Sequence, residues 1–238
     1  MIANTDKSNA RQAGVLYLLL ALTGMFGILY VPSQIIVSGD VALTVQNIKA
    51  NELLYRLGIV SQLTCQTLFV YLVLSLHRLL NKVDAHYSRQ MVALVIVSVP
   101  IAFLNMLNQI AALVIVSGPD FLSAFEPQQL DGLLMLFFRL YEQGIFVAQV
   151  FWGLWLIPFG ILMYKADFMP SILGVFMVAG GVGYVLASFV ELTFPEFGPS
   201  VGPIATIPSA IGEFGTMFWL LIKGVKDKKV VSAPAQTA

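Results

Sequence analysis

The chain has one cysteine and two histidines in 238 residues. The lone thiol, Cys65, can form no intramolecular disulfide and no paired-cysteine metal site. It lies inside an apolar run, where it reads as a small packing residue. His77 and His86 lie beside charged connections, outside the apolar runs. No His-Glu-x-x-His or His-x-x-x-His pattern occurs, so zinc, di-iron and histidine-ligated haem lack ligands within those runs. No P-loop or dinucleotide fingerprint is present. No apolar run offers a serine with a histidine. No metal and no cofactor are therefore expected. Charge is also scarce, at 11% of residues and a formal net charge of zero. Soluble domains carry about a quarter charged residues. The zero balance leaves nothing to attract nucleic acid.

What the chain does have is apolar length. Hydrophobic residues make up 58% of it and the mean hydropathy is +0.84. Six runs stand out: Ala13 to Val31, Leu57 to Leu76, Met91 to Val116, Leu133 to Tyr164, Ile172 to Val190 and Ile204 to Ile222. A helix needs about 20 apolar residues to cross a hydrocarbon core ~30 Å thick, and each run reaches or approaches that length. The expected fold is all-α: a polytopic membrane protein with six transmembrane helices in one bundle. Residues 1–229 form a single domain and 230–238 a disordered tail. Lys7 and Arg11 before the first run imitate a secretory signal, but the run is long for one and no Ala-x-Ala site follows. It reads as a retained first helix.

Positive charge marks cytoplasmic loops. With six spans and both termini inside, ten lysines and arginines fall on the inner side and two or three on the outer side. Asp40, Glu52, Asp120, Glu126, Asp131, Glu191 and Glu196 fall outside. The reading is a bacterial inner-membrane protein with N- and C-termini cytoplasmic and the lipid bilayer as its first partner. The four lysines of Lys223–Lys229 act either as a stop-transfer flank or as a contact for anionic headgroups.

The connections carry turn and cap signals. Asp40 is placed to cap a helix from Val41 to Ala50, and Asn51 to cap the next span. That short helix either lies on the outer surface or closes over the bundle. Gly118-Pro119 breaks the chain, and Pro127 opens a fourth span of about 57 Å, with Gly144 as a weak point. Ala179, Gly183 and Ala187 form a small-residue row on span five, suited to close helix packing within the monomer or to a dimer contact.

The polar residues inside the runs are the candidate site. Span two holds Gln62 and Gln66; span three holds Asn105, Asn108 and Gln109. Span four holds Arg139, Glu142, Gln143 and Gln149, and span six holds Glu213. Such groups are costly in hydrocarbon, so they should face the interior and one another. Counting from the cytoplasmic ends puts Gln62, Asn105 and Gln149 about 24 Å up their helices and Glu213 about 15 Å up. The expected ligand-binding set is Gln62, Gln66, Asn105, Asn108, Gln109, Arg139, Glu142, Gln149 and Glu213. Glu142 and Arg139 would sit at the mouth of an outward-facing polar pocket, with Glu213 as its floor and Trp152 and Trp155 as apolar wall. The amides equally suit interhelical glue. For acid–base chemistry only Glu213 and Glu142 are candidates.

Several stretches carry a family resemblance. They are Arg11-Gln-Ala-Gly-Val-Leu-Tyr-Leu, Glu142-Gln-Gly144 through Phe151-Trp-Gly153 to Gly160, Tyr164-Lys-Ala-Asp-Phe-Met-Pro170, and Ile172-Leu-Gly174 with Gly180-Gly-Val-Gly-Tyr184. Together they resemble a bacterial integral membrane family of unknown function, domain-of-unknown-function family number forty-three eighty-six. The resemblance spans nearly the whole chain and implies a six-helix inner-membrane fold without an established activity. It also implies an acid and a histidine just before the glycine matching Gly144. Here that place reads Glu142-Gln143, so the acid is kept and the histidine is an amide.

The functional expectation is a non-enzymatic membrane protein. It would bind, and pass or sense, a small amphipathic or lipid-like molecule in an extracytoplasmic-facing polar pocket. The alternatives are an intramembrane acid/base enzyme acting on a lipid, and a structural or partner subunit of a membrane complex.

Overall fold

The computed structural model describes residues 2–225. The expected tail 230–238 and Lys226, Lys228 and Lys229 lie outside the described residues. All described elements are helical. Helix α1 (Ile2–Gly24) continues through a π-helical turn (Met25–Tyr30) into α2 (Val31–Ile35). Then follow α3 (Val41–Ala50), α4 (Glu52–Leu80), α5 (Ala85–Ser117), a 3₁₀ turn (Asp120–Ala124), α6 (Pro127–Lys165), α7 (Ser171–Thr193) and α8 (Gly198–Ile222). Six segments have the length and hydropathy of membrane spans: Lys7–Ile35, then α4 to α8. This is the architecture expected from the six apolar runs.

The caps explain most boundaries. The Asp40 carboxylate accepts from the Leu43 N–H at 2.9 Å and starts α3 where the sequence places it. Asp84 does the same for α5, accepting from His86 and Tyr87. Gly118 takes a left-handed conformation (φ 61°) to end α5. Glu126 and Gln129 form a capping box ahead of Pro127. Asn51 departs from expectation. It precedes α4, but its side-chain amide turns back to the Asn47 carbonyl and closes α3 instead.

The spans form a closed ring. α1 packs on α4, α4 on α5, α5 on α6, α6 on α7 and α7 on α8, and α8 returns to α1. Helix α7 is clamped on both sides through glycine. Gly174 and Gly181 meet Gly160 and Gly153 of α6, while Gly180 and Gly183 meet the backbone of Ser209 and Ala205 in α8. The small-residue row of span five thus works inside the monomer at Gly183 and at buried Ala187, while Ala179 faces outward.

Two apolar clusters fill the ring. One, built around Leu72, Leu76, Met91, Phe159, Met163 and Leu220, packs the end where the described residues begin and finish, here the near end. The other packs the far end and includes Val31, Ile35, Ile48, Tyr55, Leu134 and Phe138. Ile48 of α3 is fully buried there, so α3 lies over the bundle as a lid. At the near end Lys165 Nζ donates to Asp84 Oδ2 at 2.7 Å and lies over the Tyr87 ring, tying α6 to the α4–α5 turn. Helix α6 runs unbroken through Gly144, which is no weak point. Its bare Cα gives room to the Asn105 carboxamide, which a side chain there would strike.

Candidate functional site

A polar layer crosses the bundle between the two apolar clusters, and it starts from a backbone defect. In the π-helical turn the Val31 N–H reaches back to the Phe26 carbonyl. The next carbonyl, Gly27, would look five residues on to Pro32, which has no N–H. An orphaned carbonyl is costly away from water. The Gln62 carboxamide supplies the missing donor, at 3.0 Å from the Gly27 oxygen. A residue at position 27 larger than glycine would collide with Gln62 and with the Gly58 carbonyl.

From Gln62 the network spreads. Its amide also donates to Gln109 Oε1 at 3.1 Å, and its own Oε1 accepts from the Tyr141 hydroxyl at 2.6 Å. The Asn105 amide donates to the Tyr141 carbonyl, and Asn108 donates to Asn105 Oδ1. The Tyr55 hydroxyl donates to the Gln109 carbonyl. The π-helical turn of the first span and helices α4, α5 and α6 are thereby bonded together. The space within this layer is about 10 Å³. That is room for roughly one water at most. Gln62, Asn105 and Gln109 therefore join helices, Asn108 braces Asn105 within α5, and none of the four lines a sizeable opening.

The larger cavity, about 170 Å³, lies toward the near end, beneath the layer. Tyr17, Ala21 and Gly24 of α1, Cys65, Gln66 and Phe69 of α4, Trp152 and Trp155 of α6, Tyr184 of α7 and Glu213 of α8 border it. Glu213 is half-buried, and its Oε2 accepts from the Tyr17 hydroxyl at 2.9 Å. Gln66 is 4% exposed, and its Oε1 has no hydrogen-bond partner among the described residues. The same holds for the buried indole Nε1 of Trp152. Trp155 stacks on Phe159 and meets Phe69 edge-on, which fixes the wall. The Gln66 and Trp152 side chains border both this cavity and the water-sized space within the layer.

The nine candidates thus divide. Glu213 borders the cavity, and Gln66 borders both the cavity and the small space within the layer. The four amides Gln62, Asn105, Asn108 and Gln109 form the layer above it. The Gln149 amide donates to the Tyr184 carbonyl at 3.3 Å, linking α6 to α7. Arg139 and Glu142 pair at 3.0 Å on the exposed flank of α6, with side chains 71% and 49% exposed, and border neither space. Sequence reasoning missed Tyr17, Tyr55, Tyr141 and Tyr184. It also passed over Gly198-Pro-Ser-Val-Gly202, whose letters fit Gly-x-Ser-x-Gly. That stretch opens α8 with no strand before it, Ser200 is exposed, and both histidines lie at the other end of the bundle. It is a helix start, not a nucleophile elbow. No group of three or more metal-ligating side chains occurs among the described residues.

A six-span helical bundle with a bonded polar layer and a cavity beneath it defines the class: a multi-pass membrane protein. The chain belongs to the family described as Domain of unknown function (DUF4386), which matches residues 12–224. It is also 32% identical over 101 residues to an uncharacterised protein of Archaeoglobus fulgidus. That match covers 42% of this chain and 56% of the relative, so the chain spans about half the length of the curated relative it matches. No solved structure matches.

Proposed function

We propose that this protein binds a small amphipathic molecule in the cavity between Tyr17, Trp152, Trp155 and Glu213. One observation carries the reading: the Gln66 acceptor and the Trp152 donor are buried without partners beside a space of about 170 Å³. A bundle selected only for packing would fill such a space or pair such atoms. An apolar cavity of about 150 Å³ accommodates a benzene-sized body, so the bound portion is a headgroup or a small molecule rather than a whole lipid. The polar layer above keeps the first span and helices α4, α5 and α6 in register, which places the cavity walls. The distribution of positive charge, ten on one side against two or three on the other, supports cytoplasmic termini. A reporter fused after the described residues would be active only on the predicted side.

The test is native mass spectrometry of protein purified in neutral detergent. Wild type is expected to carry a small bound species. Ala21→Phe, which fills the cavity, and Glu213→Ala should both lose it. Identical bound species in all three proteins would overturn the reading.

A further inference from the structure

Resting on that cavity as a binding site, we infer that its ligand is an ammonium ion with at least one N–H, carried on a short apolar body. The walls dictate the charge. Among the described residues Glu213 is the one carboxylic acid bordering the space, and no lysine, arginine or histidine borders it. Its partner among the described residues is a phenol hydroxyl, which brings no countercharge. A carboxylate withdrawn from water calls for a cation or a proton.

The rest of the lining favours a cation. Aromatic rings contribute from four helices: Tyr17 from α1, Phe69 from α4, Trp152 and Trp155 from α6, and Tyr184 from α7. The faces of such rings attract ammonium groups, the more so where water is excluded. The N–H requirement comes from Gln66. Its unpartnered Oε1 is an acceptor, and a fully methylated ammonium has nothing to donate to it. The Trp152 indole N–H asks for an acceptor in turn. An amine with a hydroxyl nearby would meet all three groups, and is the best-matched member of the class. The volume limits the body to roughly six carbons.

The experiment compares three probes at pH 7 by tryptophan fluorescence, since two of the three tryptophans line the cavity. Protonated cyclohexylamine carries charge and N–H. Cyclohexanol has nearly the same shape without charge. Tetramethylammonium has charge without N–H. Cyclohexylamine is expected to bind saturably and at least ten-fold more tightly than either of the others. Glu213→Gln, which keeps an acceptor for Tyr17, should erase the preference over cyclohexanol. Equal or tighter binding of cyclohexanol to wild type would overturn the inferred charge and show a proton on Glu213, leaving the cavity reading intact. Equal binding of tetramethylammonium would overturn the N–H requirement. Saturable binding by none of the three would overturn the cavity reading as well. The wild-type comparison stands even if the variant fails to fold.

Discussion

The Tyr17 hydroxyl donates to the Glu213 carboxylate at 2.9 Å, joining two residues 196 positions apart. This bond closes the helical ring, because α1 and α8 are its first and last spans. Removing the donor by Tyr17→Phe should lower stability by about 1 kcal/mol, the scale of interhelical hydrogen bonds in membranes. Glu213→Gln should cost less, since its carbonyl still accepts. Thermal unfolding in neutral detergent checks both. An unchanged midpoint in Tyr17→Phe would show that the bond contributes nothing to the ring.

The layer around Gln62 should behave as a coupled unit. Tyr141→Phe leaves Gln62 Oε1 without its 2.6 Å donor, and Gln62→Leu leaves both Gly27 and Tyr141 unmet. A double-mutant cycle on the pair should give a coupling of about 0.5–1.7 kcal/mol. Simple additivity would mean that the two side chains do not act on each other.

Glycines along the helices should separate by what faces them. A Cβ at Gly183 would run into the Ala205 carbonyl, which belongs to backbone and has no rotamer to yield. Gly183→Ala should cost about 1–3 kcal/mol or more. Gly132 of α6 has nothing within contact distance, so Gly132→Ala should stabilise by up to about 1 kcal/mol through helix propensity. Equal effects at both positions would contradict the close α7–α8 packing.

The ion pair at the near end yields a pH dependence. The hydrogen bond from Lys165 holds the Asp84 carboxyl below its ordinary range, with the His86 and Tyr87 amides adding to the effect. A lowered folded value means that the stabilisation is present above the unfolded pKa, about 3.9. It is lost as the pH falls from there through the folded value. Asp84→Asn should therefore be less stable than wild type at pH 7, and the two should converge in strong acid. A gap that stays constant with pH would remove the charge from this explanation.

Gln66 offers a test of function against stability. Replacing an unpartnered buried amide by an apolar residue of similar size is neutral or stabilising. Gln66→Leu should match or exceed wild type in ligand-free thermal stability while weakening binding of the amine probe at least ten-fold. A clear loss of stability would show that Gln66 serves the fold.

Much of this architecture is legible in the chain. Apolar length marks the six spans, Asp40 marks the start of α3, and buried amides on spans two and three announce that those helices bond to each other. The tyrosines escape notice because tyrosine is ordinary at membrane interfaces, so a phenol within a span gives no contrast. The π-helical turn escapes as well, since only its meeting with Pro32 and Gln62 shows why it is there. Depth counting puts the amides and Glu213 at different heights. It does not say that the amides pack solidly while the space opens below them. Arg139 and Glu142 read as a cavity mouth because position along a helix is countable. Which flank of α6 they occupy depends on how its neighbours pack.

Closure of the ring through α8 also bears on how the molecule is made. Ribosomes deliver the spans in order, so α1 and α4 to α7 leave the ribosome ahead of Glu213. Until then Tyr17 waits without its acceptor, and the chamber lacks the carboxylate that borders it among the described residues. Among the described spans, α8 thus supplies both the closing wall and the acid, and a nascent chain truncated before it would have no finished chamber.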